Sequence, residues 1–126
     1  VINGGALGGG SDLIGLIGDN SLIQNEGGSD TVYVSGNNDT IAGGNGNALI
    51  EWGGSNHTFL DNTSIYNDTV VGFNQAAGDT IKLSGTGHTV ASTTTVNGGM
   101  DTLITLNDNS TILLKYVNNV NNSFFS

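Results

Sequence analysis

Large apolar residues return every nine positions through the first half of the chain, at Ile14, Ile23, Val32, Ile41, Ile50 and Phe59. Each stands two places after a second column made of Asp12, Ser21, Asp30, Asp39, Ala48 and His57. The residue before that column is Ser11, Asn20, Ser29, Asn38, Asn47 or Asn56, and three before it stands Gly9, Gly18, Gly27, Gly36, Asn45 or Gly54. Glycine and asparagine tolerate positive φ and make corners, while the Thr or Leu followed by Ile, Val or Phe suits a short strand. Nine residues thus supply one strand and one turn, and two units close a coil of 18 residues. Coils stacked roughly 4.8 Å apart pair their backbones along the stack and turn the apolar column inward as a ladder. Leu16, Val34 and Trp52 lie two places further along strands of the same parity, which puts them on the side of Ile14, Val32 and Ile50.

Beyond residue 60 the period is lost but its grammar persists. Asp68-Thr69-Val70-Val71, Asp79-Thr80-Ile81 and Asp101-Thr102-Leu103-Ile104 each run from an acid through Thr into apolar residues. The stretches 101–106 and 110–116 flank Asn107-Asp108-Asn109 and predict a hairpin with a three-residue turn. A cap is required there, because the last open coil otherwise leaves unpaired backbone groups and an apolar cross-section. Residues 1–11 contain no obvious cap, so the first coil is expected to offer an open edge. The expected organisation is one all-β domain over 1–126, with a β-roll at about 7–60, a β-rich cap over 61–117 and a tail over 118–126.

The stretch Gly43-Gly44-Asn45-Gly46-Asn47-Ala48-Leu49-Ile50-Glu51, with Gly9-Gly10-Ser11-Asp12-Leu13-Ile14 and Gly27-Gly28-Ser29-Asp30-Thr31-Val32, resembles the repeat of repeats-in-toxin (RTX) proteins, Gly-Gly-x-Gly-x-Asp-x-U-x with U a large apolar residue. The segments that follow are similar to those closing the β-roll in serralysin-type proteases and alginate-epimerase R-modules. The resemblance implies a right-handed parallel β-solenoid. It also implies calcium at the turns, held by turn carbonyls and by Asp side chains from units 18 residues apart. Asp12 and Asp30 form the best such pair, and Asp39 is a weaker candidate because its edge otherwise carries Ser21 and His57. Two carboxylates one coil apart repel unless a cation or a proton lies between them. The chain departs from the pattern where Ala48 replaces the Asp and where Leu7 and Asn25 replace the first Gly. The tail, with Val117, Val120, Phe124 and Phe125, resembles the uncleaved signal of type I secretion substrates; the other reading is a last strand packed on the cap.

Charge narrows the partners. Eleven acidic residues against Lys82 and Lys115 give a net charge of −9, which argues against nucleic acid and against anionic membranes. No apolar window is long enough to span a membrane, and no signal peptide is visible ahead of Val1, so a processed product or a fragment is expected. With 21 Gly and neither Pro nor Cys, the composition is that of a turn-rich chain without disulfides.

No nucleophile, base and orienting group stand out, so the chain is expected not to be an enzyme. His57 and His88 fall where other units carry Asp and are expected to be turn residues, while Asp61, Asp68, Asp79 and Asp101 precede or begin strands. Trp52 shares the inward parity of Ile50 and is expected in the core rather than with Tyr33 and Tyr66 on a sugar-stacking face. The expected function is a structural module of a secreted bacterial surface or matrix protein, with structural calcium, whose partners are copies of itself or an upstream domain. The alternatives are a folding and export module of a larger enzyme or adhesin, and a module that binds extracellular glycan.

Overall fold

A computed structural model describes residues 2–3, 10–24, 27–61 and 66–126. It is a parallel β-solenoid of about four coils. Strands β1 (Ile2–Asn3), β3 (Leu22–Gln24), β5 (Thr40–Ala42), β7 (Thr58–Leu60) and β9 (Thr80–Lys82) stack in parallel as one sheet. In the other sheet β2 (Leu13–Ile17), β4 (Thr31–Asn37), β6 (Leu49–Ser55) and β8 (Asn67–Val71) stack in parallel and continue into β12 (Thr111–Lys115). That sheet is completed by β11 (Asp101–Leu106) and β10 (Val90–Val96), each antiparallel to its neighbour. Among the described residues no helix is long and apolar enough to cross a membrane.

The six apolar residues spaced by nine form two facing ladders around one core. Ile14, Val32 and Ile50 lie in Cα register on the seven-stranded sheet, and Ile23, Ile41 and Phe59 on the five-stranded sheet. All six are buried, and Val34 and Trp52 are buried beside the first ladder. The ladders do not stop at residue 60. Val70 follows Ile50 and Ile81 follows Phe59, so β8 and β9 continue the two parallel stacks, and β10 to β12 with the C-terminal residues lie beyond them. The period is lost because the later coils are longer: hydrogen bonds that span 18 residues between early coils span 20 from Ala48 to Asp68 and 22 from His57 to Asp79.

Two devices make the corners. Asn20, Asn38 and Asn56 repeat every coil with φ of 59°, 60° and 59°, the left-handed conformation that asparagine accepts more readily than other side-chain-bearing residues. Glycine appears where successive turns touch. A Cβ on Gly46 would lie 1.6 Å from the Gly28 carbonyl oxygen, and one on Gly54 would lie 1.7 Å from that of Gly36.

At the C-terminal end the β11 and β12 hairpin buries Ile104, Leu106, Ile112 and Leu114. The tail forms no strand; it packs on this end through a 3-10 turn at Asn122–Phe124, with Phe124 stacked on Phe73 at a centroid distance of 5.5 Å and Phe125 making an isolated parallel bridge to Ile81. The Ser126 amide donates to the Ile81 carbonyl and the Leu83 amide to the Ser126 carbonyl, both at 2.9 Å.

Candidate functional site

The residues before β2, β3, β6 and β7 present backbone N–H groups that bond a side chain rather than a carbonyl, and a buried unpaired amide is costly. The Asp column meets that need. Asp30 Oδ1 accepts the Asp12 N–H at 2.9 Å, Asp39 Oδ1 the Ser21 N–H at 2.8 Å, Asp68 Oδ1 the Ala48 N–H at 2.8 Å and Asp79 Oδ1 the His57 N–H at 2.9 Å. Every one of these carboxylates reaches back one coil. On the turns, side chains reach forward instead: Asp19 Oδ1 accepts the Asn37 N–H at 2.8 Å and Asn47 Oδ1 the Asn67 N–H at 2.9 Å. The acids that begin strands beyond the repeat, Asp68 and Asp79, thus extend the Asp12 and Ser21 columns.

Asp12 and Asp30, the leading metal candidates, are brought together, but through the Asp12 amide rather than through two carboxylates. Asp30 is buried, and Asp12 Oδ2 is buried without a hydrogen-bond partner. Among the described residues no three His, Asp or Glu side chains converge on a metal position. The donors fit a hard cation to this extent: Asp12 carries a buried carboxylate oxygen without a hydrogen-bond partner, while residues 4–9 and 25–26 lie outside the described residues. Asp39 Oδ2, also without a hydrogen bond, faces Nδ1 of buried His57 at 3.5 Å, and Nε2 of that ring lies 3.1 Å from the Gly53 carbonyl. His57 therefore occupies the Asp column as a buried side chain, with its ring 5.1 Å from that of Trp52.

The second cluster joins solenoid to cap. His88, which the sequence placed in a turn, has Nδ1 2.5 Å from Asp61 Oδ2 and Nε2 2.7 Å from Asp108 Oδ2. Both ring nitrogens face carboxylate oxygens, an arrangement that favours the doubly protonated imidazolium over the neutral ring. The hydrogen bond to Asp61 is the main reason that its pKa lies above the ordinary histidine value. Asp108, in the β11 to β12 turn, is held below the usual carboxylate range mainly by the Ser110 hydroxyl and amide. Burial pushes Asp68 up to about 7, opposed by the Ala48 amide and reinforced by the charge of Asp61. Asp101 is lowered to about 2, first by Lys115 and then by the Tyr116 amide and Asn97. Nothing in the nine-residue pattern links position 61 to 88 or 88 to 108; of the three only His88, in His88-Thr89-Val90, carries the Asp/His-Thr-apolar signal, whereas Asp61 and Asp108 are each followed by Asn.

On the outer face of the seven-stranded sheet a shallow groove of about 630 Å³ runs past Gly15, Tyr33, Ser35, Glu51 and Gly53. Tyr33 is 44% exposed there, whereas Trp52 points into the core. No known family matches the chain, and none of the curated proteins resembles it closely enough to count as a relative.

Proposed function

We propose that this chain is a non-catalytic structural module of a secreted bacterial surface or matrix protein, an RTX-type β-roll whose length and rigidity are its function. The observation that carries the reading is the fate of its acids. Asp30, Asp39, Asp68 and Asp79 each use an oxygen to pair the backbone of the preceding coil, which builds a scaffold and spends the groups a reaction needs. Calcium at the Asp12 and Asp30 turn is part of this proposal, with the orphaned Asp12 oxygen as its support. Fractionating the producing cells with an antibody to the chain tests the reading. Recovery in the extracellular or surface fraction is expected; confinement to the cytosol overturns it. Circular dichroism in chelator and in millimolar calcium tests the metal, which is expected to raise the melting temperature.

A second reading has its own observation. Tyr33 beside Glu51, over the glycine gaps at positions 15 and 53, offers a ring for the apolar face of a sugar and a carboxylate for its hydroxyls. A neutral glycan suits this face, because Glu51 and the net charge of −9 repel anionic ones. Loss of neutral-glycan binding in Tyr33→Ala is the expected signature, and an array without hits removes the reading.

A further inference from the structure

The two outer strands of the seven-stranded sheet are β2 and β10, and among the described residues each is paired on one side only. Neither carries a charge or a proline: β2 reads Leu-Ile-Gly-Leu-Ile and β10 reads Val-Ala-Ser-Thr-Thr-Thr-Val. Soluble proteins commonly blunt such edges with Lys, Pro or a covering segment, because a free row of amides and carbonyls templates another chain. At β2 the exposure extends to side chains, with Leu13 74% and Ile17 91% exposed. At β10 residues 90–95 are exposed on both faces.

The two edges also match in direction. β10 is antiparallel to β11, β11 is antiparallel to β12, and β12 is parallel to β8, β6, β4 and β2. Two reversals cancel, so β10 runs the same way as β2. A second copy translated along the stack therefore meets β10 in parallel, the pairing the solenoid uses internally.

The available amides can be identified from the bonds already made. Thr31 N–H donates to the Asp12 carbonyl and Gly18 N–H to the Ser35 carbonyl. Even-numbered residues of this stretch thus face β4, and the amides of Leu13, Gly15 and Ile17 face outward. The Leu106 N–H donates to the Ser110 carbonyl, so Leu106, Ile104 and Thr102 face β12. Leu103 and Thr105 then bond their partners Thr94 and Ser92, which leaves the Thr93 and Thr95 amides free. The sheets also end unevenly: β1 extends the five-stranded sheet past β3 at one end, and β11 and β10 extend the seven-stranded sheet past β12 at the other.

We infer that the chain assembles head to tail through its edges, β10 of one copy adding in parallel to β2 of the next. The joint is heterologous and does not close on itself, so it propagates into a filament. The inference rests on the structural-module reading and specifies its partner, a second copy of this chain.

Proline at an outward-facing position removes a donor without touching the inner ladder. Thr93→Pro blocks the β10 edge, and Gly15→Pro blocks β2, where a new side chain has open space. Sedimentation velocity and negative-stain microscopy of the parent are expected to show species that lengthen with concentration. Each variant alone is expected to be a 12.8 kDa monomer with an unchanged circular dichroism spectrum, and the equimolar mixture a dimer that grows no further. A folded parent that stays monomeric at high concentration overturns the joint, as do variants that assemble like the parent or a mixture that stays monomeric. A variant that loses its spectrum is replaced by Thr95→Pro or Ile17→Pro, judged by the same outcomes. Cytosolic confinement in the fractionation sinks the module reading whatever these results, and a monomeric but extracellular chain sinks the joint alone.

Discussion

Single carboxylates in this molecule have opposite duties that substitution can separate. Asp30 serves a backbone amide, so Asp30→Ala leaves the Asp12 N–H unpaired and is expected to lose about 1–3 kcal/mol of unfolding free energy in urea titrations. Asp30→Asn keeps an acceptor and is expected to lose less. Asp68 serves an amide too, but burial raises its pKa from 3.8 to about 7. Between those values the folded chain keeps a proton that the unfolded chain releases, so stability falls as pH rises through that window. Asp68→Asn cannot ionise and still accepts; its melting temperature is expected to exceed the parent's at pH 8 and to approach it at pH 5. His88 has the same slope from different chemistry. Its folded pKa lies above 6.5, so its contribution is full below 6.5 and disappears as pH rises through the folded value. His88→Gln is expected to melt earlier than the parent at pH 6, with the difference narrowing as pH rises above 6.5, followed by circular dichroism across the series.

At the scale of elements, the turns are more tightly specified than the strands. Ala in place of Gly46 pushes a methyl group into the Gly28 carbonyl. Gly46→Ala is therefore expected to cost about 2 kcal/mol or more, whereas Gly10→Ala, with nothing near its added carbon, is expected to be close to neutral in the same denaturant titration. The early strands were legible in the sequence because two periods coincide there, alternation along the strand and the nine-residue return of Ile14 to Phe59. Trp52 was legible as core on the same alternation, and the β11 to β12 hairpin from its turn residues. The continuation of the ladder through β8 and β9 was not, since coils of 20 and 22 residues break the period while the pairing persists. Nor was β10 marked as an edge. A strand exposed on both faces carries no alternation, and Thr and Val suit buried and open strands alike. The Asp columns were visible as columns, but their use in pairing amides one coil back depends on how close stacked turns come, which no spacing in the chain reveals.

For the whole molecule the titrations combine into one expectation. Asp101, lowered to about 2, contributes above 3.8 and loses that contribution as pH falls through 2, while Asp68 and His88 weaken the fold as pH rises. Calcium-free thermal melts are therefore expected to peak in mildly acidic solution. Hydrogen exchange supplies a spatial counterpart: slow amides are expected in β4 to β7, enclosed by coils on both sides, and fast ones at Thr93 and Thr95. The ladder has a further effect on how the chain comes apart. Because each coil pairs only with its immediate neighbours, damage at one end has no direct route to the other, and the molecule can fray inward like rope rather than shatter like glass. The Phe124 and Phe125 residues docked beside Phe73 and Ile81 then act as the knot at one end, and cutting them away sets the rate at which the strands beneath begin to unravel.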